Sequence, residues 1–114
     1  MEKSNFYIAI HQYGSLFQQY KFQQVSGFVE KLTSPDGTVI RIGINQHHEN
    51  GDYYATELTT GYYLSKHASS RQKLLKEITD DFLQSVSNLL KTETAKNAIK
   101  RMENRTLYNN VKGI

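Results

Sequence analysis

The chain has 114 residues, no cysteine and a formal net charge of +3 at pH 7. Without cysteine it can form neither a disulfide nor a thiolate metal site, and thiol catalysis is excluded. Its length fits a single domain, residues 1–114, with a core that needs no covalent staple. No segment approaches the roughly 18 apolar residues of a membrane span, and the N-terminus lacks a secretory signal. These features predict a cytoplasmic protein with no membrane contact.

The charge is unevenly distributed along the chain. Residues 1–60 carry four Lys or Arg against six acidic residues, whereas residues 61–114 carry ten against five. A basic C-terminal half can attract polyanions such as nucleic acid. The same charge also suits a solvated helix surface, and the composition leaves both interpretations open.

The first predicted element is a strand, because Phe6, Ile8 and Ile10 alternate with more polar neighbours. The following stretch, residues 14–24, is ambiguous. It fits a short helix with a capping box at Ser15, and it fits a strand equally well.

Residues 25–33 and 38–46 predict a β-hairpin around Ser34-Pro35-Asp36-Gly37. Proline presets φ at the second turn position and glycine takes the left-handed closing position. A three-residue loop with a bulge then pairs Leu32 with Ile40, Glu30 with Ile42 and Phe28 with Ile44. On the opposite face, the same register sets Lys31 across from Arg41.

The segment GDYYATELTTGYYLSKH, residues 51–67, predicts a second hairpin with Thr59-Thr60-Gly61 as its loop. The same counting pairs Leu58 with Tyr62, Thr56 with Leu64 and Tyr54 with Lys66. The leucines mark that face as core, so Tyr53 and Tyr63 are expected to point outward. A slip of one residue would exchange the two faces.

Helical periodicity replaces strand periodicity after residue 68. An apolar stripe from Leu75 to Leu89 predicts one amphipathic helix over about residues 70–91, capped near Ser69 and Ser70. Thr92 or Thr94 is placed to cap a second helix. Strands followed by helices indicate an α+β fold: four or five antiparallel strands in a sheet or small partial barrel, then two C-terminal helices.

The residues expected outside the core suggest a binding surface. Like charges that face each other on a sheet repel, and an anion lying across Lys31 and Arg41 would remove that repulsion. Cations beside flat rings are the components of a surface for single-stranded nucleic acid. The predicted sheet contacts are therefore Lys31, Arg41, Tyr53, Tyr63 and His67. The alternative is that tyrosine is simply a good strand former and that the cations protect a sheet edge.

A second candidate is a basic stripe on the exposed side of the last helix. Its members, spaced four residues apart in two rows, are Lys96, Lys100, Arg101 and Arg105. They could grip phosphates, or they could favour the helix C-terminus and keep the surface soluble.

A third candidate is His47-His48-Glu49, which falls in the loop between the hairpins. Adjacent histidines can bind a metal or act as an acid–base pair for RNA cleavage. No further ligand is spaced to complete a known metal motif, and common nucleophile, phosphate-loop and dinucleotide motifs are absent. We therefore expect a polar loop, no cofactor, no metal and no enzymatic activity.

The whole chain resembles the PrgU-type regulators, small cytoplasmic proteins that Gram-positive conjugative plasmids encode. The shared features are its size, the absence of cysteine, the early segment FYIAIHQYGS, the strands-first layout and the basic helical C-terminal part. The resemblance implies a PUA-like fold and a role in limiting expression of a surface adhesin through RNA. It assigns no role to any individual residue.

These observations predict a non-enzymatic, RNA-binding regulatory protein that limits expression of a mobile-element gene. A protein-binding inhibitor or adaptor is the alternative, because tyrosine-rich surfaces also suit protein interfaces. A small ribonuclease using His47 or His48 is the third hypothesis.

Overall fold

A computed structural model describes residues 3–14 and 17–106, which form five strands followed by three helices. The elements are β1 (Ser4–Gly14), β2 (Phe17–Thr33), β3 (Val39–Gln46), β4 (Tyr53–Glu57), β5 (Tyr62–Ala68), α1 (Arg71–Glu77), α2 (Asp80–Leu90) and α3 (Glu93–Glu103). The strands lie in chain order in one open antiparallel sheet. The α+β class is therefore confirmed, with an open sheet rather than a barrel. Strand β2 resolves the ambiguity over residues 17–24, whereas Ser15 lies outside the described residues.

Strand β2 is long because it serves two partners in succession. Its first part pairs with β1, ending at Ser4 opposite Gly27, and its second part pairs with β3, beginning at Phe28 opposite Ile44. A Cβ atom on Gly27 would lie 2.1 Å from the carbonyl oxygen of Ile44. Glycine is therefore required where β2 passes from one partner to the other, since only a residue without a side chain allows this approach.

The β2–β3 hairpin has the register that its turn sequence predicts. Leu32 faces Ile40, Phe28 faces Ile44 and Lys31 faces Arg41. Gly37 has a φ of 89°, which is the left-handed conformation expected at the end of this turn.

The register predicted for the β4–β5 hairpin is wrong. Glu57, not Leu58, faces Tyr62, so the loop has four residues instead of three. The buried carboxylate of Glu57 accepts hydrogen bonds from the backbone N–H groups of Thr59 and Thr60, at 2.9 Å each. This side chain holds the loop together from inside, and counting from the glycine could not reveal it.

The main core lies between one face of the sheet and helices α1 and α2. Ile40, Ile42 and Ile44 of β3 are at most 1% exposed. They pack in one buried cluster with residues of both helices, including Leu74 and Val86. Burial of a side chain of this size stabilises a fold by about 1.5–3 kcal/mol, so this layer fixes the position of the helices on the sheet.

The single helix predicted for residues 70–91 is instead two helices, α1 and α2. The side chain of Ser70 caps α1 by accepting from the Lys73 N–H, and that of Thr79 caps α2 by accepting from the Phe82 N–H. Asp80 and Asp81 occupy the first turn of α2, where acidic residues favour the helix dipole. The apolar stripe continues across the break, which is why periodicity alone predicted one helix.

Asp36 ties the β2–β3 turn to helix α2. Its carboxylate accepts from Lys91 at 2.8 Å, from the Ser87 hydroxyl at 2.8 Å and from Gln84 at 3.1 Å, and it also bonds the Ser34 hydroxyl. These donors, Lys91 foremost, hold the pKa of Asp36 far below its usual value. The turn and the helix are therefore linked through one ionised side chain.

Helix α3 packs where β1 meets the β4–β5 loop. The Ala9 N–H donates to the Gly61 carbonyl at 2.8 Å, and a Cβ atom on Gly61 would lie 2.5 Å from the terminal methyl of Met102. Thr92, one of the two cap positions that the sequence predicted, caps α3 by accepting a hydrogen bond from the Ala95 N–H.

Among the helices in the described ranges, none is long and apolar enough to cross a membrane.

Candidate functional site

Three histidines and two tyrosines from the β3–β4 loop, β4 and β5 lie together. We call this group the ring cluster; its members are His47, His48, Tyr54, Tyr63 and His67. Strand pairing creates it, because Tyr54 faces His67 across β4 and β5, and Asn45 of β3 faces Tyr54. Residues directly opposite in an antiparallel sheet share a face. Here that face is the one opposite Ile42 and Ile44.

Tyr54 is the centre of the ring cluster. Its ring centroid lies 5.4 Å from that of His47, 5.5 Å from that of Tyr63 and 5.2 Å from that of His67. The Tyr54 and His67 rings are nearly parallel, with 22° between their planes. The Tyr54 hydroxyl accepts from the side-chain amide of Asn50 at 2.8 Å. These contacts fix the orientation of the central ring.

The β3–β4 pairing puts Tyr54, and not Tyr53, on this face, since Asn45 faces Tyr54 and Ile44 faces Ala55, and a bulge in β5 then sets which β5 residues lie beside Tyr54. Tyr54 pairs with His67 and Thr56 pairs with Tyr63. The single residue Ala55 of β4 therefore lies opposite three residues of β5, 64–66. Ser65, in the middle of those three, has a φ of 59°. The prediction that Tyr53 points outward is therefore wrong: Tyr53 packs against the main core. The same prediction for Tyr63 is confirmed, because Tyr63 is 47% exposed.

The Tyr63 hydroxyl stays protonated over the neutral pH range. Partial burial raises its pKa above the ordinary value of 10.0, and the nearby Tyr54 and Glu77 raise it further. A neutral phenol beside a half-buried tyrosine ring offers a stacking surface without adding negative charge.

Asp52 orients the imidazole of His67. Its carboxylate Oδ2 lies 3.0 Å from His67 Nδ1, and the His67 side chain is 53% exposed. An exposed pair of this kind adds about 1 kcal/mol or less to folding stability. Its main consequence is geometric: a proton on Nδ1 is held toward the carboxylate, which leaves Nε2 directed away from it.

The two adjacent histidines have different environments. His47 Nδ1 is buried and has no hydrogen-bond partner among the described residues, whereas His48 is exposed. Their rings are parallel within 3°, with centroids 5.6 Å apart. A buried N–H without an acceptor is costly, so the tautomer of His47 that carries its proton on Nε2 is favoured.

Lys31 and Arg41 are exposed and face each other, as predicted, but they do not join the rings. Arg41 and Asn45, which is opposite Tyr54, are about 13 Å apart along β3 at 3.3 Å per residue. Gly43 lies between them, and a Cβ atom there would come within 2.6 Å of the Phe6 ring and 2.7 Å of Leu58. Phe6 therefore stands on the sheet between the cation pair and the ring cluster.

The predicted basic stripe on α3 is divided. Lys96 and Lys100 are exposed. Arg101 instead donates to the Tyr62 hydroxyl at 2.7 Å, and the guanidinium of Arg105 lies 4.3 Å from the centroid of the Tyr7 ring. The two arginines turn toward the sheet because tyrosine side chains there offer a hydroxyl acceptor and a ring face. The expectation that all four residues project into solvent is wrong.

The sequence interpretation missed Tyr54 and Asp52 and did not connect His47 with His67. A usable signal was present: a β3–β4 hairpin with a loop at residues 47–52 would bring His47 next to Tyr54. The backbone of this loop is closed by the His47 N–H donating to the Asp52 carbonyl at 2.7 Å. The bulge at Ser65, by contrast, has no local sequence signature.

The described residues contain no group of three or more His, Cys, Asp or Glu side chains that could hold a metal ion. Among family models, curated proteins and solved structures, none matches this chain. The functional argument therefore rests on the geometry of the ring cluster.

Proposed function

We propose that this chain is an RNA-binding regulatory protein that holds single-stranded RNA on the ring cluster. The observation that carries the proposal is the contact of Tyr54 with three other rings, two of which, Tyr63 and His67, have about half of their surface open to solvent. Unpaired bases stack on such rings, and each stacked base contributes about 1–3 kcal/mol. Two exposed rings around one fixed tyrosine suit two successive bases.

Stacking contributes more than charge at this surface. The ring cluster contains no lysine or arginine, and the Asp52 carboxylate lies beside it, in contact with His67. Binding should therefore weaken only mildly with salt, because the salt slope counts neutralised phosphates. Lys31 and Arg41 lie beyond Phe6, where they could contact the backbone of a longer strand but not the stacked bases.

Replacing Tyr63 with alanine tests the proposal. Since one stacking platform is lost, affinity for a fluorescein-labelled ten-nucleotide uridine RNA should fall about 5- to 150-fold, equivalent to 1–3 kcal/mol. Fluorescence anisotropy measures the affinity. Val39→Ala is the matched control, because Val39 is also an exposed apolar strand residue, at 60%, and lies outside the ring cluster. Equal affinity for the two variants would contradict the proposal.

The regulatory part of the proposal follows from RNA binding and from the resemblance to the PrgU-type proteins. A small domain that occupies unpaired RNA can block translation or processing of the transcript that carries it. Its target would be the transcript of a mobile-element gene whose product must be kept low. Crosslinking in cells, followed by sequencing of the bound RNA, tests this: one enriched transcript is expected, and enrichment of none would contradict it.

An apolar cleft favours a protein-binding inhibitor or adaptor as the second candidate. A cavity of about 80 Å³ lies between β5 and the α2–α3 junction, lined by residues that include Leu64, Val86 and Tyr63 of the ring cluster. Leu89 stands at its rim, 49% exposed. Leu89→Ala separates the two functions, because Leu89 is not a member of the ring cluster: it should weaken binding of a protein partner in this cleft and lower RNA affinity much less than Tyr63→Ala does.

A further inference from the structure

Asp52 and His67 form the geometry of an activated base. The carboxylate contacts Nδ1 at 3.0 Å and the histidine is exposed. A proton held on Nδ1 by a carboxylate leaves the Nε2 lone pair free, and this is how a carboxylate prepares histidine to accept a proton. The pair joins residues fifteen positions apart in sequence. For this reason, the sequence-based expectation of a protein without enzymatic activity took no account of it.

Tyr54 contacts both this base and one of a second pair of imidazoles. The ring centroids of His67 and His47 lie 5.2 Å and 5.4 Å from that of Tyr54, and His48 stacks on His47 at 5.6 Å. A nucleotide whose base stacks on the exposed Tyr63 ring would thus have its sugar–phosphate unit beside several imidazole groups. Cleavage of RNA without a metal needs this combination, a base for the 2′ hydroxyl and an acid for the leaving oxygen.

We propose that the ring cluster cleaves the RNA it binds, with His67 as the general base and Asp52 as its positioning residue. Nε2 of His67 takes the proton of a 2′ hydroxyl, and the 2′ oxygen forms a bond to the adjacent phosphorus. The bond from phosphorus to the 5′ oxygen breaks, and that oxygen takes a proton from the imidazolium form of His48, the exposed member of the histidine pair. The products are a 2′,3′-cyclic phosphate and a 5′ hydroxyl. No metal, water or redox partner is consumed.

This inference rests on the proposed RNA binding and has a separate readout. The intact protein is incubated in excess, with EDTA, with a mixed-sequence twelve-nucleotide RNA and with its fully 2′-O-methylated copy. Affinity is measured by anisotropy, and cleavage by gel and mass spectrometry. We expect both strands to bind and only the unmodified one to be cut, leaving the cyclic phosphate. Bound RNA that stays whole would overturn the inference and leave the binding proposal intact; no binding of either strand would overturn both.

Variants assign the roles and exclude a contaminating nuclease. His67→Ala, purified in the same way, should slow single-turnover cleavage by about 10²–10⁴-fold, as expected for loss of a general base. Asp52→Asn should slow cleavage less than His67→Ala does, and Asp52→Glu, which keeps a carboxylate, should retain part of the wild-type rate; saturating protein removes any effect of altered RNA affinity from these rates. If the pair served only to tether the loop, the Asp52 variants would shift the melting temperature but not the cleavage rate. Equal cleavage by the wild type and His67→Ala would overturn the proposal.

Discussion

Asp36 shows how one residue joins a local turn to a distant helix. Its pKa is depressed first by Lys91 and then by the Ser34, Ser87 and Gln84 donors. A carboxyl whose pKa is lower in the folded protein than in the unfolded chain favours folding most above the unfolded value. That contribution is fully present at neutral pH and declines as the solution is acidified below the ordinary value of 3.8.

We predict that Asp36→Asn destabilises the protein at pH 7 and that the difference from wild type shrinks steadily below about pH 4. The physical reason is that the wild-type carboxyl then loses its charge and its advantage over the amide. Urea unfolding followed by circular dichroism at several pH values measures this. Glu49→Gln, a change at an exposed loop carboxyl outside this tether, is the control. A wild-type advantage that stays constant from pH 7 to pH 2 would contradict the account.

At the scale of elements, glycines decide how the strands cross. Gly27 lets β2 pass from β1 to β3, and Gly43 lets the Phe6 ring of β1 rest on the face of β3. The ring of Phe6 is itself buried, at 6% exposure. The position of β1 is thus set by the Phe6 ring on β1 and by Gly43 on β3, which has no side chain to exclude that ring.

Gly43→Ala should destabilise the fold by about 1–3 kcal/mol, because the added methyl overpacks a site bounded by Phe6 and Leu58. Phe6→Leu in the same chain should recover part of this loss, since a smaller side chain makes room. Denaturant unfolding of the four proteins in a double-mutant cycle gives the coupling energy. Strict additivity of the two changes would show that Phe6 does not occupy this site.

Across the whole molecule, features that depend on neighbouring residues were predictable and features that depend on distant packing were not. The Pro35-Asp36-Gly37 turn fixed the β2–β3 register, because turn chemistry is local. The β4–β5 register escaped prediction, because it depends on the buried carboxylate of Glu57 and on a bulge at Ser65. The ring cluster escaped for the same reason: its members come from β4, β5 and the β3–β4 loop, and their alignment depends on that bulge and on the conformation of the loop.

The central claim is that unpaired bases lie on the ring cluster, and ultraviolet crosslinking tests it most directly. The protein is irradiated with a uridine-rich single-stranded RNA, digested, and the modified residues are identified by mass spectrometry. The account predicts RNA adducts on Tyr54, Tyr63 or His67. These adducts should disappear in the double variant that carries both Tyr54→Leu and Tyr63→Ala. Adducts confined to the exposed lysines of α3 or to Lys31 and Arg41, or no adduct at all, would contradict it.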